Sequence, residues 1–181
     1  AVLVSSATTT HAPLSQKSDS ATADLLPLDD FSPQFLGMFR KAVTIENQIR
    51  RFTDSYGVDF DLARAMLIQE SGGNPNLTSI AGAGGYFQVM PATFRSLRGE
   101  SNIVAGIKYL SQMIRQFGRE DYAVAAYNAG PKVVKKWLQR YGDPRTNSID
   151  KVDWIERLPY AETRNYVQRV LESRVAYQHL F

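Results

Sequence analysis

The 181-residue sequence contains no cysteine. That removes disulfides, thiolate nucleophiles, cysteine-ligated zinc and a lipid-anchored cysteine. Histidine is nearly as scarce: the two present, His11 and His179, lie near opposite ends of the chain. A histidine-based triad or a histidine-rich metal site is hard to build from them, and no metal or cofactor is expected. No apolar run approaches the roughly 18 residues that a membrane helix needs. Strand signals are nearly absent. The sequence has no Gly-x-x-x-x-Gly-Lys-Ser/Thr phosphate cradle and no acidic loop with calcium-binding spacing. The chain begins with alanine rather than methionine; a processed or truncated product is expected, and loss of a secretory signal would account for it.

What is present suits one domain of ordinary size with a tail. Hydrophobic residues make up 44% of the sequence, enough for a sizeable core, and the formal net charge of +3 is mildly basic. That balance suits an acidic polymer but is too weak to indicate nucleic acid. Residues 1–31, rich in Ser, Thr, Ala and Asp with Pro13 and Pro27, read as a flexible arm or linker. Residues 32–181 read as the folded domain, expected to be monomeric.

From Ser32 the texture becomes helical. Ser32-Pro33 is a good N-cap and first helical residue, and a helix is expected from there to about Tyr56, stopped by Gly57. Asp59 can cap the next helix, whose apolar run Ala63 to Ile68 is broken at once by Gly72, Gly73 and Pro75. Residues 71–90 are loop-like, with five glycines between 72 and 85 and room for a hairpin around Ala83 to Val89. Further helices are expected after Pro91, over Ser101–Phe117, Asp121–Ala129, Lys132–Tyr141, Ile149–Leu158 and Ala161–Tyr177. The class is mostly α. Trp137 and Trp154 are read as core.

The residue that the chain surrounds is Glu70. It falls at the end of an apolar helix, facing the negative end of the dipole, and any burial there would raise its pKa. A glutamic acid that keeps its proton near neutral pH can act as a general acid. On this stretch alone a solvated glutamate on a frayed helix end is the favoured reading. A long glycine loop lets backbone approach a ligand closely, and tyrosines and tryptophans offer faces for sugar rings.

Four segments then carry a resemblance. Glu70-Ser71 resembles the catalytic Glu-Ser of the soluble lytic transglycosylases. The stretch from Ser79 to Thr93, SIAGAGGYFQVMPAT, is similar to their Ser-x-x-Gly-Ala-x-Gly-Leu-Met-Gln-x-Met-Pro-x-Thr motif. Asn102-Ile-x-x-Gly-x-x-Tyr-Leu110 and Ala126-Tyr-Asn-Ala-Gly-Pro131 follow in the family's order, and Ile155 to Val167 resembles its closing segment. The resemblance implies a lysozyme-like domain with a Gly-rich loop or small hairpin beside the catalytic glutamate. It implies an envelope enzyme, most simply periplasmic, that acts on peptidoglycan glycan strands. Such enzymes cut between N-acetylmuramic acid and N-acetylglucosamine without water and leave a 1,6-anhydro end. Glu70 would serve as both acid and base, a departure from the usual two-carboxylate scheme.

By the same resemblance Gln88 and Met90 line the sugar cleft, although Met90 would equally suit the core. Tyr127 brings its hydroxyl near the acid, with Asn128 beside it. Ser71 bonds near the acid or the sugar. Ser79 pins the loop or backs the site. Glu162 binds or orients near the acid, or merely complements a helix dipole. Tyr86-Phe87 replace the family's Leu-Met and would place two aromatics in the cleft. The segment from Thr93 to Asn102 is short for the family. A lysozyme-like muramidase using Glu70 with water, and a non-catalytic peptidoglycan-binding relative, are the alternatives.

Overall fold

The apolar run that ends at Glu70 forms a helix buried on all sides. It lies at the centre of the fold, which is known from a computed structural model describing residues 32–34, 36–38 and 45–180. The expected arm, residues 1–31, falls outside the described residues. In chain order the helices are α1 Glu46–Tyr56, α2 Phe60–Ser71, α3 Pro91–Ser96, α4 Asn102–Phe117, α5 Glu120–Ala129, α6 Pro131–Tyr141, α7 Lys151–Glu156 and α8 Ala161–Leu180. A short 3-10 turn at Pro144–Thr146 precedes α7. The protein is mostly α, and no strand forms among the described residues. The hairpin allowed by the sequence is reduced to two isolated bridges, Thr78 with Gly84 and Gly84 with Val89.

Several boundaries follow from local chemistry. Gly57 ends α1 in the left-handed region, at φ 64°, where a side chain would be strained. Asp59 caps α2 by accepting from the Leu62 backbone N–H at 2.7 Å. Ser101 caps α4 and Gly118 ends it in the left-handed region. The single helix expected from Ser32 to Tyr56 is not continuous. Residues 33–34 and 36–38 are helical, but α1 opens afresh behind a non-helical Ile45 at φ −113°, ψ 11°. Ile45 is β-branched and a weak helix former. The helix expected from Ile149 instead starts at Lys151, because Asp150 accepts from the Val152 N–H at 2.7 Å and caps it.

Packing centres on α2 and α5. Leu62, Ala63, Ala65, Met66 and Leu67 are fully buried, each large side chain contributing about 1.5–3 kcal/mol. Helix α8 packs along α2, and α5 packs against α4, α6 and α8. Alanines at 123, 125 and 126, all fully buried, let these backbones approach closely. Trp137 and Trp154 are core, as expected, and Trp154 packs against Tyr122 with ring centroids 4.8 Å apart. No helix among the described residues is long and apolar enough to cross a membrane.

The two ends of α2 are tied to α8. Arg174 pairs with Asp59 at 3.1 Å and also reaches Glu120 of α5. At the other end Tyr166 meets Glu70. The two helices therefore run in opposite directions, and the end of α2 that carries Glu70 is held against the first half of α8.

Candidate active site

Glu70 lies in the last turn of α2, half-buried. Its Oε1 accepts a hydrogen bond from the Tyr166 hydroxyl at 2.6 Å. Burial lifts its carboxyl from the ordinary 4.5 to about 7; the Tyr166 bond opposes the lift and the negative charge of Glu162 adds to it. A carboxyl so placed is part protonated near neutral pH and can both give and take a proton. Tyr166 and Tyr127 are both pushed well above the ordinary phenol value, by burial first and by the charge of Glu70 second. They are hydrogen-bond donors throughout the physiological range.

The Gly-rich loop is braced from within. Asn102 at the start of α4 donates from Nδ2 to the Gly84 carbonyl at 2.6 Å and accepts at Oδ1 from the Phe87 N–H at 2.7 Å. Gly85 has φ 76°, and a Cβ there would sit 2.5 Å from Asn102 Cγ. Phe87 seats over Gly106 of α4, where a Cβ would come within 2.3 Å of the Phe87 ring root. The Phe87 carbonyl in turn accepts from the Tyr127 hydroxyl at 2.8 Å. Gln88 turns through the left-handed region at φ 45°, uncommon for a residue with a side chain. Its Nε2 donates to the carbonyls of Leu77 and Gly85, each at 2.9 Å.

Next to this brace a groove of about 250 Å³ is lined by Gln88, Met90, Thr93, Tyr109, Tyr127 and Asn128, among others. Met90 is exposed at its rim, so the alternative of a core methionine is set aside. Asn128 is held by Thr163 of α8, which donates to Asn128 Oδ1 at 2.6 Å. Glu162, beside Thr163, is exposed in the first turn of α8 and acts on Glu70 through its charge.

Two expectations need correction. Phe87 is fully buried and cannot present a face to a sugar. Alternation at the loop's exit points it into the core, where the space above Gly106 receives it. Ser71 is buried, and its hydroxyl donates to the Leu67 carbonyl and accepts from the Gly73 N–H, both at 3.2 Å. It locks the helix end instead of facing the acid. Tyr127 feels the charge of Glu70, while its hydroxyl donates to the Phe87 carbonyl. Ser79 accepts from the Ala83 N–H at 3.0 Å and so pins the loop. Tyr86 is half-buried and packs against the core.

Two site tyrosines had no role in the sequence reading. Tyr166 stood only within the closing segment Ile155 to Val167. Tyr109 packs against Tyr127, ring centroids 5.1 Å apart and tilted at 56°, and burial raises its pKa. Its hydroxyl makes no hydrogen bond to a described residue, whereas those of Tyr127 and Tyr166 are both committed. Among the described residues no cluster of three or more His, Cys, Asp or Glu could hold a metal.

A family model described as Transglycosylase SLT domain matches residues 47–149. The soluble lytic murein transglycosylase of Salmonella typhimurium is 36% identical over 146 residues, which is 71% of this chain and 22% of that protein. The crystal structure of the 70 kDa soluble lytic transglycosylase of Escherichia coli superposes with a TM-score of 0.67 at 32% identity, covering 74% of this chain and 24% of the other. A Pseudomonas aeruginosa lytic transglycosylase, solved as an inactive glutamate-to-glutamine mutant, is similar at 32% identity and a TM-score of 0.61, covering 73% of this chain and 24% of that one. The chain thus spans about a fifth to a quarter of the length of these relatives.

Proposed function

The chain belongs to the transglycosylase SLT domain family, and on that footing we propose that it is a peptidoglycan lytic transglycosylase. Its substrate is the β-1,4 bond between N-acetylmuramic acid and N-acetylglucosamine in glycan strands of a bacterial envelope, outside the cytoplasm. Residues 32–181 form the catalytic domain.

The observation that carries this is Glu70: a half-buried carboxyl lifted to about 7, with one tyrosine donor in contact and its nearest acidic neighbour, Glu162, exposed. In the first step protonated Glu70 gives its proton to the glycosidic oxygen as the C1–O bond breaks, and the N-acetylglucosamine end leaves as an alcohol. The muramic acid 2-acetamido oxygen shields the positive charge left at C1. In the second step Glu70, now a carboxylate, takes the proton of the C6 hydroxyl of the same sugar, whose oxygen closes on C1. The 1,6-anhydro ring forms, Glu70 is protonated again, and no water enters. The inactivity of the Pseudomonas relative's glutamate-to-glutamine mutant supports a single indispensable glutamate.

Tyr166 orients the carboxyl in both of its states, since its hydroxyl can donate to the acid's carbonyl oxygen and to the carboxylate alike. Tyr109 supplies a free phenol to a sugar substituent in the groove, and Met90, Thr93 and Asn128 form the walls around it. Glu162 holds the acid's pKa up from the rim. Mass spectrometry of the digestion products tests the reading. Anhydro-terminated fragments are expected, lighter by one water than hydrolysis products. Fragments with reducing ends would mean a muramidase, and no release at all a binding protein.

A further inference from the structure

Helix α6 carries the chain's excess of positive charge. The whole sequence sums to +3, and α6 holds four cations, Lys132, Lys135, Lys136 and Arg140, with no acidic residue. Everything outside α6, +3 less four, therefore sums to −1. At about 100° per residue, Lys132, Lys135, Lys136, Gln139 and Arg140 fall within an arc of about 140°, and all five are exposed. The opposite face, with Val134, Trp137 and Leu138, is buried in the core.

These cations are uncommitted: none forms an ion pair or hydrogen bond with a described residue. Other arginines are spent, Arg119 on Asp121 and Arg145 on Asp143. Charge that only keeps a surface in water comes in both signs, as on α1, α7 and α8. On α6 it comes in one. Tyr160 stands beside this helix, more than half exposed, its ring set edge to face on Trp137 with centroids 5.1 Å apart. The helix begins at Pro131, one residue past Gly130, which lines the tyrosine groove.

We propose that α6 docks the protein on the surface of an anionic phospholipid bilayer and so brings the groove close to that surface. From the reading above it takes only the envelope, where such bilayers lie. Charge complementarity selects the occupant. Lysines are compact, strongly hydrated point charges, suited to a field of phosphate headgroups. Lys132 and Arg140 stand about 12 Å apart along the axis, so the charge is spread along the helix and not gathered around one anion. A soluble polyanion would use the cations but not the tyrosine. At a bilayer, Tyr160 sits at headgroup level with its ring on the apolar side and its hydroxyl in water. The apolar side of α6 is committed to the core, so binding is by charge at the surface and not by insertion of the helix.

Two measurements on the full chain test it. In the first, the protein is sedimented with vesicles of phosphatidylglycerol and phosphatidylcholine in equal parts and with vesicles of phosphatidylcholine alone, and is titrated with soluble polyphosphate. Binding to the anionic vesicles is expected, and its loss at roughly 0.5 M salt. Lys132→Gln, Lys135→Gln and Lys136→Gln together should weaken it about a hundredfold, at about fivefold per cation. Arg51→Gln, Arg95→Gln and Arg98→Gln together remove the same charge elsewhere and should weaken it less than about fivefold. No vesicle binding, binding to polyphosphate alone, or equal weakening by the two triple variants overturns the proposal. In the second, the absence of cysteine allows one polarity-sensitive dye to be placed at Gln139→Cys, in the middle of the face, or at Ser55→Cys, exposed on α1. Emission should move to the blue on anionic vesicles at the first site and stay fixed at the second. An equal shift at both, or none at Gln139→Cys, overturns the docking even where a lysine variant fails to fold.

Discussion

Replacing Glu70 by glutamine should abolish turnover and at the same time stabilise the protein, by an amount that grows with pH. The folded carboxyl has its pKa raised from 4.5 to about 7. Below about pH 4.5 both the folded and unfolded states hold the proton, and there is no penalty. Between 4.5 and 7 the unfolded chain has released the proton while the folded one has not, so stability falls as pH rises. Above about 7 the penalty is complete and constant. A lift of that size corresponds to about 3 kcal/mol, an upper figure because part of the carboxyl meets solvent. Glutamine has nearly the same shape, never ionises, and keeps an oxygen for the Tyr166 hydroxyl. Thermal unfolding of parent and Glu70→Gln, followed by circular dichroism from pH 4 to pH 8, should give melting curves that coincide at the acid end. They should separate by roughly 6–12 °C at pH 8, at the usual 2–4 °C per kcal/mol for a chain of this size. A gap that does not change with pH would refute the reasoning, as would a glutamine variant less stable than the parent at pH 8. Either would mean that the fold favours the carboxylate.

Other outcomes follow from the same geometry. Tyr166→Phe removes the one donor that holds the Glu70 pKa down, so the upper limb of the pH–rate profile should move higher while kcat falls about tenfold; an unmoved limb would contradict the assignment. Tyr109→Phe should raise KM about two- to tenfold with kcat nearly kept, the pattern of a lost binding hydrogen bond, and steady-state kinetics on a soluble glycan oligomer decides it. Gly106→Ala puts a Cβ 2.3 Å from Phe87 and should cost about 1–3 kcal/mol by overpacking. An unchanged Tm by calorimetry would show that Phe87 is not seated as described.

Much of the fold was written in local signals. Asp59, Gly57, Ser101 and Gly118 sit where short-range rules put caps and stops, and α4 carries its apolar stripe at helical spacing. The acid could be found only through the glycine loop and the family segments around it, since its place at a helix end alone suits a solvated glutamate. What escaped were the contacts between distant segments. Tyr166 is 96 positions from Glu70, and nothing in its own neighbourhood marks its hydroxyl as a partner for the acid. Phe87 was misjudged for a similar reason. Whether a loop side chain points to a cleft or a core depends on space left by another helix, here by Gly106. Gln88 lines the groove while its amide closes the loop on Leu77 and Gly85.

The loop also bears on the acid's charge. Tyr127 and Tyr166 are both near enough to feel Glu70, and a hydrogen bond to a carboxylate favours its ionised form. One such bond, from Tyr166, already opposes the lift due to burial. A second, from Tyr127, would oppose it further and draw Glu70 back toward an ordinary carboxylate that has no proton to give at neutral pH. The Tyr127 hydroxyl donates instead to the Phe87 carbonyl at 2.8 Å. That carbonyl is in place because Asn102 holds the Phe87 N–H and Gly106 leaves room for its ring. By occupying the second tyrosine the loop leaves Glu70 with a single donor among the described residues, the condition that the proposed mechanism requires if burial is to keep one carboxyl protonated for its first step and basic for its second.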